Sequence, residues 1–351
     1  MISAAKLQQT ETLNKTEITA QNLEPITNGL LRYHTAPDWL KYAATLPTPP
    51  KLFGSFFRQN ELALLFSDMG AGKTMLGYQI AQCIATGNTI SNHFKNEAEA
   101  QLLLYCDFEL QVKQWEVRFK NETTGETFPL SENIIRTELD LSEFDFSNDN
   151  LQDKILAEIL KLSTEKKIKV WIIDNLTYIS DTGDIKGALK FMQKLNTIKK
   201  QYRLSILVMG HTPKRDLKEP ITENSLSGSK KIMDLADSSF AIGKSARGLI
   251  YRYIKQIKVR WTKFEYGSDN VLSCEIIKEN NFVQLKVNNT DSENSHLKKV
   301  GIHEVRDSDI VKMQKEGATQ KEIAEKFDLS DRQVRNILKC ANDYENDVLP
   351  F

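Results

Sequence analysis

The chain has 351 residues, of which 40% are hydrophobic and 27% charged, the proportions of a folded globular protein rather than a disordered one. Its 47 lysines and arginines are matched by 47 aspartates and glutamates, so no global basic field announces a nucleic-acid partner, and any such contact has to be local. The cysteines Cys83, Cys106, Cys274 and Cys340 form no C-x-x-C pair, which argues against a disulfide framework or a zinc ribbon.

The N-terminus, MISAAKLQQTETLNK, has no apolar signal-peptide core, and no run reaches the about 18 apolar residues of a membrane span. These features predict a cytoplasmic protein with no membrane partner. Residues 1–50 read as an N-terminal arm, loose and polar to about residue 25, followed by a proline-containing stretch that ends in a stiff joint, LPTPP.

From residue 51 to about 290 the pattern alternates. ELALLF reads as a buried strand and KTMLGYQIAQCIA as a helix. QLLLYCDF is a strand and LQVKQWEVRFKN a helix. LQDKILAEILKLSTEK, IKGALKFMQKLNTIKKQ and the strands IKVWIID and LSILVMG continue the alternation, which predicts a parallel sheet with crossover helices. After residue 235, SSFAIG, YRYIKQIKVRW, NVLSCEII and NFVQLKV predict an antiparallel extension. Residues 291–304, polar and small, read as a linker, and residues 305–343 as a small helical domain.

SDMGAGKT, between a strand and a helix, has the context of a phosphate-binding loop. In such a loop consecutive amides face an anion at a helix N-terminus. Ser67, Met69, Gly70, Ala71, Gly72, Lys73, Thr74 and Met75 are the expected nucleotide contacts, although Ser67 stands where such loops usually open on glycine. Lys73 is placed on the β- and γ-phosphates, and Thr74 on magnesium. Asp174 ends the strand VWIID, where open α/β sheets bind ligands, and is the second magnesium residue. Asp107 and Glu109 leave the neighbouring strand two residues apart, and either is placed to polarise an attacking water. His211 and Thr212 end a third strand and are candidate sensors of the γ-phosphate. A solvated acidic loop and an ordinary loop histidine are the competing readings.

This order of motifs resembles the RecA-like P-loop ATPases, of the AAA_25 type, and within them the branch of the hexameric replicative helicases and the plasmid helicase RepA. The resemblance implies ATP and Mg2+ as cofactors and Glu109 as the catalytic base, with Asp107 as an accompanying acid. Lys258-Val259-Arg260 is similar to the K-x-R that reaches a neighbouring subunit's γ-phosphate in those rings, which implies a homo-oligomer, a hexamer-type ring or a filament. A solvated edge strand, where lysines block further pairing, competes for the same residues. By position, HTPKRDLKEPITENSL resembles the loop that faces DNA in these rings, with Lys214 and Arg215 as its phosphate contacts.

The C-terminal stretch ATQKEIAEKFDLSDRQVRNIL has a capping box at Thr319 and Glu322, then a turn at Asp328-Leu329-Ser330. It resembles the helix-turn-helix domains of resolvases and bacterial regulators, whose second helix enters the major groove. Arg332, Gln333, Arg335, Asn336 and Lys339 are the expected DNA contacts. A protein-binding helical bundle is the alternative. The expected fold is thus an α/β RecA-like core with an antiparallel extension plus a small all-α domain. The expected function is that of a DNA-associated ATP hydrolase, a helicase-like motor in replication or mobilisation of a plasmid, phage or mobile element, or else an ATP-controlled regulator or loader.

Overall fold

The structure is a computed structural model, and it describes residues 24–142, 144, 150–176, 185–212, 216–226, 230–261, 263–298 and 302–345. The chain divides into two compact units, Met1–Pro49 and Pro50–Phe351.

In the first unit the strands β1 (Ile26–Asn28) and β2 (Leu31–Tyr33) form an antiparallel hairpin. Helix α1 (Ala36–Thr45) follows, its start fixed by the Thr35 hydroxyl, which accepts from the Asp38 N–H at 3.3 Å. The Arg32 guanidinium lies over the rings of Trp39 and Tyr42.

The second unit opens with a short hairpin, β3 (Lys51–Phe53) and β4 (Phe57–Arg58). The elements that follow are β5 (Leu62–Ser67), α2 (Lys73–Thr86), β6 (Leu103–Asp107), α3 (Val112–Val117), β7 (Ile134–Thr137), α4 (Leu151–Glu165), β8 (Val170–Asp174), α5 (Ile185–Tyr202), β9 (Ser205–His211), α6 (Lys230–Leu235) and the strands β10 (Ser238–Lys244), β11 (Tyr251–Lys258), β12 (Val271–Glu279) and β13 (Phe282–Asp291). One nine-stranded sheet holds the order β13-β12-β11-β10-β5-β9-β8-β6-β7. The pairs from β10 to β7 are parallel, and those from β10 to β13 antiparallel.

Successive strand residues face opposite sides, and the two faces build separate cores. Ala63, Leu65, Tyr105, Ile172, Leu207 and Met209 pack with α2 on one side. Leu62, Leu64, Phe66, Trp171, Ile173 and Val208 pack with α4 and α5 on the other. Burial on both faces is why these strands read as unbroken apolar runs. It also leaves their carboxyl ends as the open rim of the sheet.

Three features differ from the expectations. β7 is a strand the sequence reading left out, because ENIIRTEL has only two apolar residues in succession. β11 is not an edge strand: it is paired on both sides, and its Arg252 and Lys255 are buried. Residues 291–298 are not a free linker. Glu293 begins a 3-10 turn and is buried against Lys255 Nζ (2.6 Å), the Tyr253 hydroxyl (3.2 Å) and the Ile221 N–H (2.8 Å), and His296 is fully buried. Paired charges, not apolar residues, fold this segment onto the sheet, so its composition gave no sign of it.

Three helices close the chain: α7 (Ile302–Lys315), α8 (Gln320–Phe327) and α9 (Asp331–Glu345). They share a core of their own, built on Ile310, Ile323, Ala324 and Val334. Thr319 and Glu322 exchange capping hydrogen bonds at the start of α8, and Asp328 ends it in the left-handed conformation.

Candidate nucleotide site

β5 carries the chain to the rim at Ser67, which pairs with His211 on one side and Ile242 on the other. The left-handed residues of the loop that follows are Gly70 (φ 69°) and Gly72 (φ 101°). Ser67 still belongs to the strand, so this position has no need of glycine, and its hydroxyl donates to the Asp68 carbonyl at 3.0 Å. The Ala71 N–H closes a turn on the Asp68 carbonyl at 3.1 Å. Helix α2 then starts, with Gly72 as its cap and no side-chain hydrogen bond on that cap. The first N–H groups of a helix have no intrahelical acceptor, so the amides at Lys73, Thr74 and Met75 are available to an anion. Met69 is exposed beside them.

Lys73 lies in the first turn of α2, and its Nζ donates to Asp174 Oδ1 at 3.3 Å. The Tyr105 hydroxyl donates to Asp174 Oδ2 at 3.1 Å and is 3.5 Å from the Thr74 carbonyl. One hydroxyl therefore spans the two residues expected to hold magnesium. Gly77 makes room for it, since a Cβ there would sit 2.7 Å from that oxygen. An alcohol, a carboxylate and the substrate's own phosphate oxygens are the hard donor set that Mg2+ prefers. Thr74 and Asp174 fit it.

A second cluster stands at the ends of β6, β8 and β9. Asn175 Nδ2 donates to Glu109 Oε2 at 2.6 Å and lies 3.2 Å from His211 Nε2. Glu109 and His211 are themselves 4.0 Å apart. Burial lowers the His211 pKa, the nearby Lys73 ammonium lowers it further, and Glu109 and Asp174 act in the opposite direction. A neutral imidazole at the rim, beside a carboxylate steered by an amide, can orient a water and read a phosphate oxygen. Thr212 extends the same edge: its hydroxyl donates to Asp68 Oδ1 at 2.7 Å, joining the end of β9 to the phosphate loop.

Asp107 is a structural acid. It is fully buried, accepts from Arg136 Nε (3.1 Å) and from the Tyr78 hydroxyl (3.2 Å), and holds the N–H of Leu110 at 3.0 Å. Of the two carboxylates at this strand end, Glu109 is the half-exposed one.

Lys258 and Arg260 lie elsewhere. Ser239 pairs with both Leu64 and Lys258, so Lys258 stands level with Leu64, about 10 Å back along the strands from Ser67. Its Nζ donates to the Met233 and Asp234 carbonyls at 2.9 Å, capping α6. Arg260 bonds Asp237 Oδ1 at 3.0 Å and the Asp234 carbonyl at 3.2 Å. Both cations are at the opposite end of the sheet from the chain's own phosphate loop. Lys214 and Arg215 lie outside the described residues, as does the side chain of Lys339. Arg332, Gln333, Arg335 and Asn336 are exposed on α9, and Gln333 Oε1 accepts from the Ser330 N–H and hydroxyl, both at 2.9 Å.

Residues 31–216 match the model of the AAA_25 family, described as an AAA domain. The chain belongs to that family. It is a RecA-like P-loop ATPase. No curated protein matches it. Among solved structures it is similar to the KaiC-like protein of the hyperthermophilic archaea Pyrococcus horikoshii OT3, with 15% identity, a TM-score of 0.46, and cover of 66% of this chain and 91% of that one.

Asn175, Tyr105 and Gly77 are parts of the candidate site that motif reading missed. Asn175 directly follows Asp174, so its position was visible in the sequence. Nothing in sequence marks a side chain as lying between two strand ends.

Proposed function

We propose that this ATPase is an oligomeric, helicase-like motor that acts on DNA in the replication or mobilisation of a plasmid, phage or other mobile element. Residues 51–290 are its motor domain and residues 305–343 a helix-turn-helix that brings it to duplex DNA. ATP lies on Ser67 to Met75, with Lys73 on its terminal phosphates and Mg2+ held by Thr74 and Asp174. Glu109, steered by Asn175, orients the water, and His211 reads the γ-phosphate.

The observation that carries this reading is the placement of Lys258 and Arg260 about 10 Å behind their own phosphate loop, on the far end of the sheet. Their side chains are bonded to the end of α6 and to Asp237, away from their own loop, a placement that suits completing a neighbour's site, where an arginine supplied in trans stabilises the charge that develops during phosphoryl transfer. Two such unlike ends on one subunit favour head-to-tail association, which gives a ring if it closes and a filament if it does not. Support for DNA is separate. Arg332, Arg335 and Asn336 are exposed in the first turns of α9, and Arg and Asn are residue types that read base edges.

A second reading rests on the same two cations. Both are engaged within the chain, with the end of α6 and with Asp237. Assembly has to release them, which suits an ATP-controlled regulator or loader that separates no strands.

The test is the ATPase rate of the full chain with and without single- and double-stranded DNA, beside Lys73→Ala, together with displacement of a strand from a forked duplex. Stimulation with displacement supports the motor, and stimulation without displacement supports the regulator. A rate indifferent to either DNA overturns both.

A further inference from the structure

Arg252 lies in β11, two strands from the strand that feeds the phosphate loop. It pairs with Lys244, while Ile242 pairs with Ser67, so Arg252 stands two residues beyond the end of β5, level with the loop itself. Two strand spacings amount to about 10 Å, within the span of an extended arginine. The guanidinium crosses it. Nε donates to the Ala71 carbonyl at 3.0 Å and Nη2 to the Gly70 carbonyl at 3.4 Å. Nη1 donates to the carbonyls of Leu249 (2.6 Å) and Tyr251 (2.8 Å), which anchor the same group to the start of its strand and the turn before it. The residue is 2% exposed. A buried guanidinium is tolerated only where its N–H groups are matched, and here loop carbonyls match them.

We propose that Arg252 is a positioning residue for nucleotide binding: it clamps the back of the phosphate loop and thereby aims a loop amide at the phosphates. The argument rests on the ATP-binding role of the loop and on peptide geometry. A trans peptide is planar, so the carbonyl and the N–H of one unit point in opposite directions. The unit whose oxygen belongs to Ala71 carries the Gly72 N–H. Holding that oxygen against Arg252 turns the Gly72 N–H towards the other side, where the anion binds. The unit whose oxygen belongs to Gly70 carries the Ala71 N–H, which is committed to Asp68, so the gain falls on Gly72.

The clamp matters because the segment it grips is the least constrained part of the site. Gly70 and Gly72 both hold positive φ and have no side chain to fix them. Without an outside hold such a loop samples many shapes, and ordering it would be charged against binding. A cation bonded to the carbonyl also polarises the amide beyond it, so the N–H donates more strongly. Lysine keeps the charge but lacks the planar fork that reaches two carbonyls at once.

The experiment uses the full chain as parent, Arg252→Lys and Arg252→Met. Binding of Mg-ATP and of Mg-ADP is titrated by calorimetry, kcat is measured at saturating ATP, and melting is followed without nucleotide. The expected result is a Kd raised about tenfold in the lysine variant and further in the methionine variant for both nucleotides, with kcat of the lysine variant within a few-fold of the parent. A purely structural arginine would lower the melting temperature and leave the Kd of the folded protein unchanged. A lysine variant that binds both nucleotides within about twofold of the parent overturns the proposal, whatever its melting point and whether or not the methionine variant folds. A parent that gives no heat with Mg-ATP fails earlier, and takes the nucleotide role of the loop with it.

Discussion

Asn175 holds Glu109 by a 2.6 Å hydrogen bond, across the gap between the ends of β8 and β6. The amide points the carboxylate along the rim instead of leaving it to solvent, and it reaches His211 with the same nitrogen. Replacing Glu109 by Gln should lower kcat by about two to four orders of magnitude, the range for a positioned general base. Asn175→Ala should lower kcat about tenfold to a hundredfold by letting the carboxylate swing, the scale seen when a group that orients a catalytic residue is removed. Neither change should move the Kd for ATP much. Rate measurements at saturating ATP beside calorimetry decide this, and an Asn175→Ala enzyme with parental kcat would count against the steering role.

Gly77 exists for Tyr105. A methyl at Gly77 would sit 2.6 Å from the end of the Met209 side chain and 2.7 Å from the Tyr105 hydroxyl. Met209 can bend away. Tyr105 cannot do so easily, because its ring is stacked on Tyr78 at 4.0 Å. Gly77→Ala should therefore cost about 1–3 kcal/mol of stability, the usual range for overpacking. It should also weaken Mg-ATP binding, because the hydroxyl that holds Asp174 is displaced. Tyr105→Phe separates the two effects, losing the hydrogen bond without the clash. An alanine variant that melts with the parent and binds Mg-ATP equally well would show that the contact is slack.

The layers of the fold and the phosphate loop were legible because each follows from a local rule. Strands buried on both faces have to read as apolar runs, and the loop needs its glycines and its helix start at fixed spacing. What failed was whatever depends on pairing across the sheet. Asp107 and Glu109 look alike in sequence. They differ because Arg136, in a strand too short and polar to notice, neutralises one of them. The cations of YRYIKQIKVRW read, as a solvated edge strand, like one surface. Folded, they divide: Arg252 serves the phosphate loop, Lys255 meets Glu293, and Lys258 and Arg260 cap α6. No spacing rule foretells that division, because the acceptors are backbone carbonyls and a glutamate up to 182 residues away.

His296 should make the protein sensitive to acid. It is fully buried, with Nδ1 2.9 Å from the Ser245 hydroxyl and the ring against Tyr253. Burial pushes its pKa down to about 4, the Arg247 cation adds to this, and Asp291 and Glu293 oppose it. The unfolded chain binds a proton near the ordinary histidine value of about 6.5, before the folded chain does. Stability is therefore complete above that pH and falls as the pH drops towards about 4, by about 3 kcal/mol at the limit. Chemical denaturation from pH 8 to pH 5 should show this slope in the parent and a flatter one in His296→Gln. Equal slopes would place the titration elsewhere.

The trans role of Arg260 has a sharper test than loss of activity, because Arg260 also bonds Asp237 and Asp234, and its removal disturbs α6 as well. Lys73→Ala should lose nucleotide but still present Arg260, whereas Arg260→Ala should bind nucleotide but present no cation to its neighbour. Each alone should turn over ATP at a small fraction of the parental rate, about a thousandfold lower for the arginine variant if the residue acts as such fingers do. Mixed in one assembly, they form interfaces in which an intact phosphate loop from the Arg260→Ala subunit meets an intact Arg260 from the Lys73→Ala subunit. Turnover should then return to a substantial part of the parental rate, rising and falling with the mixing ratio and strongest near equal amounts. A mixture no faster than the sum of its parts, in a preparation shown by light scattering to assemble, would mean that Arg260 only caps its own helix.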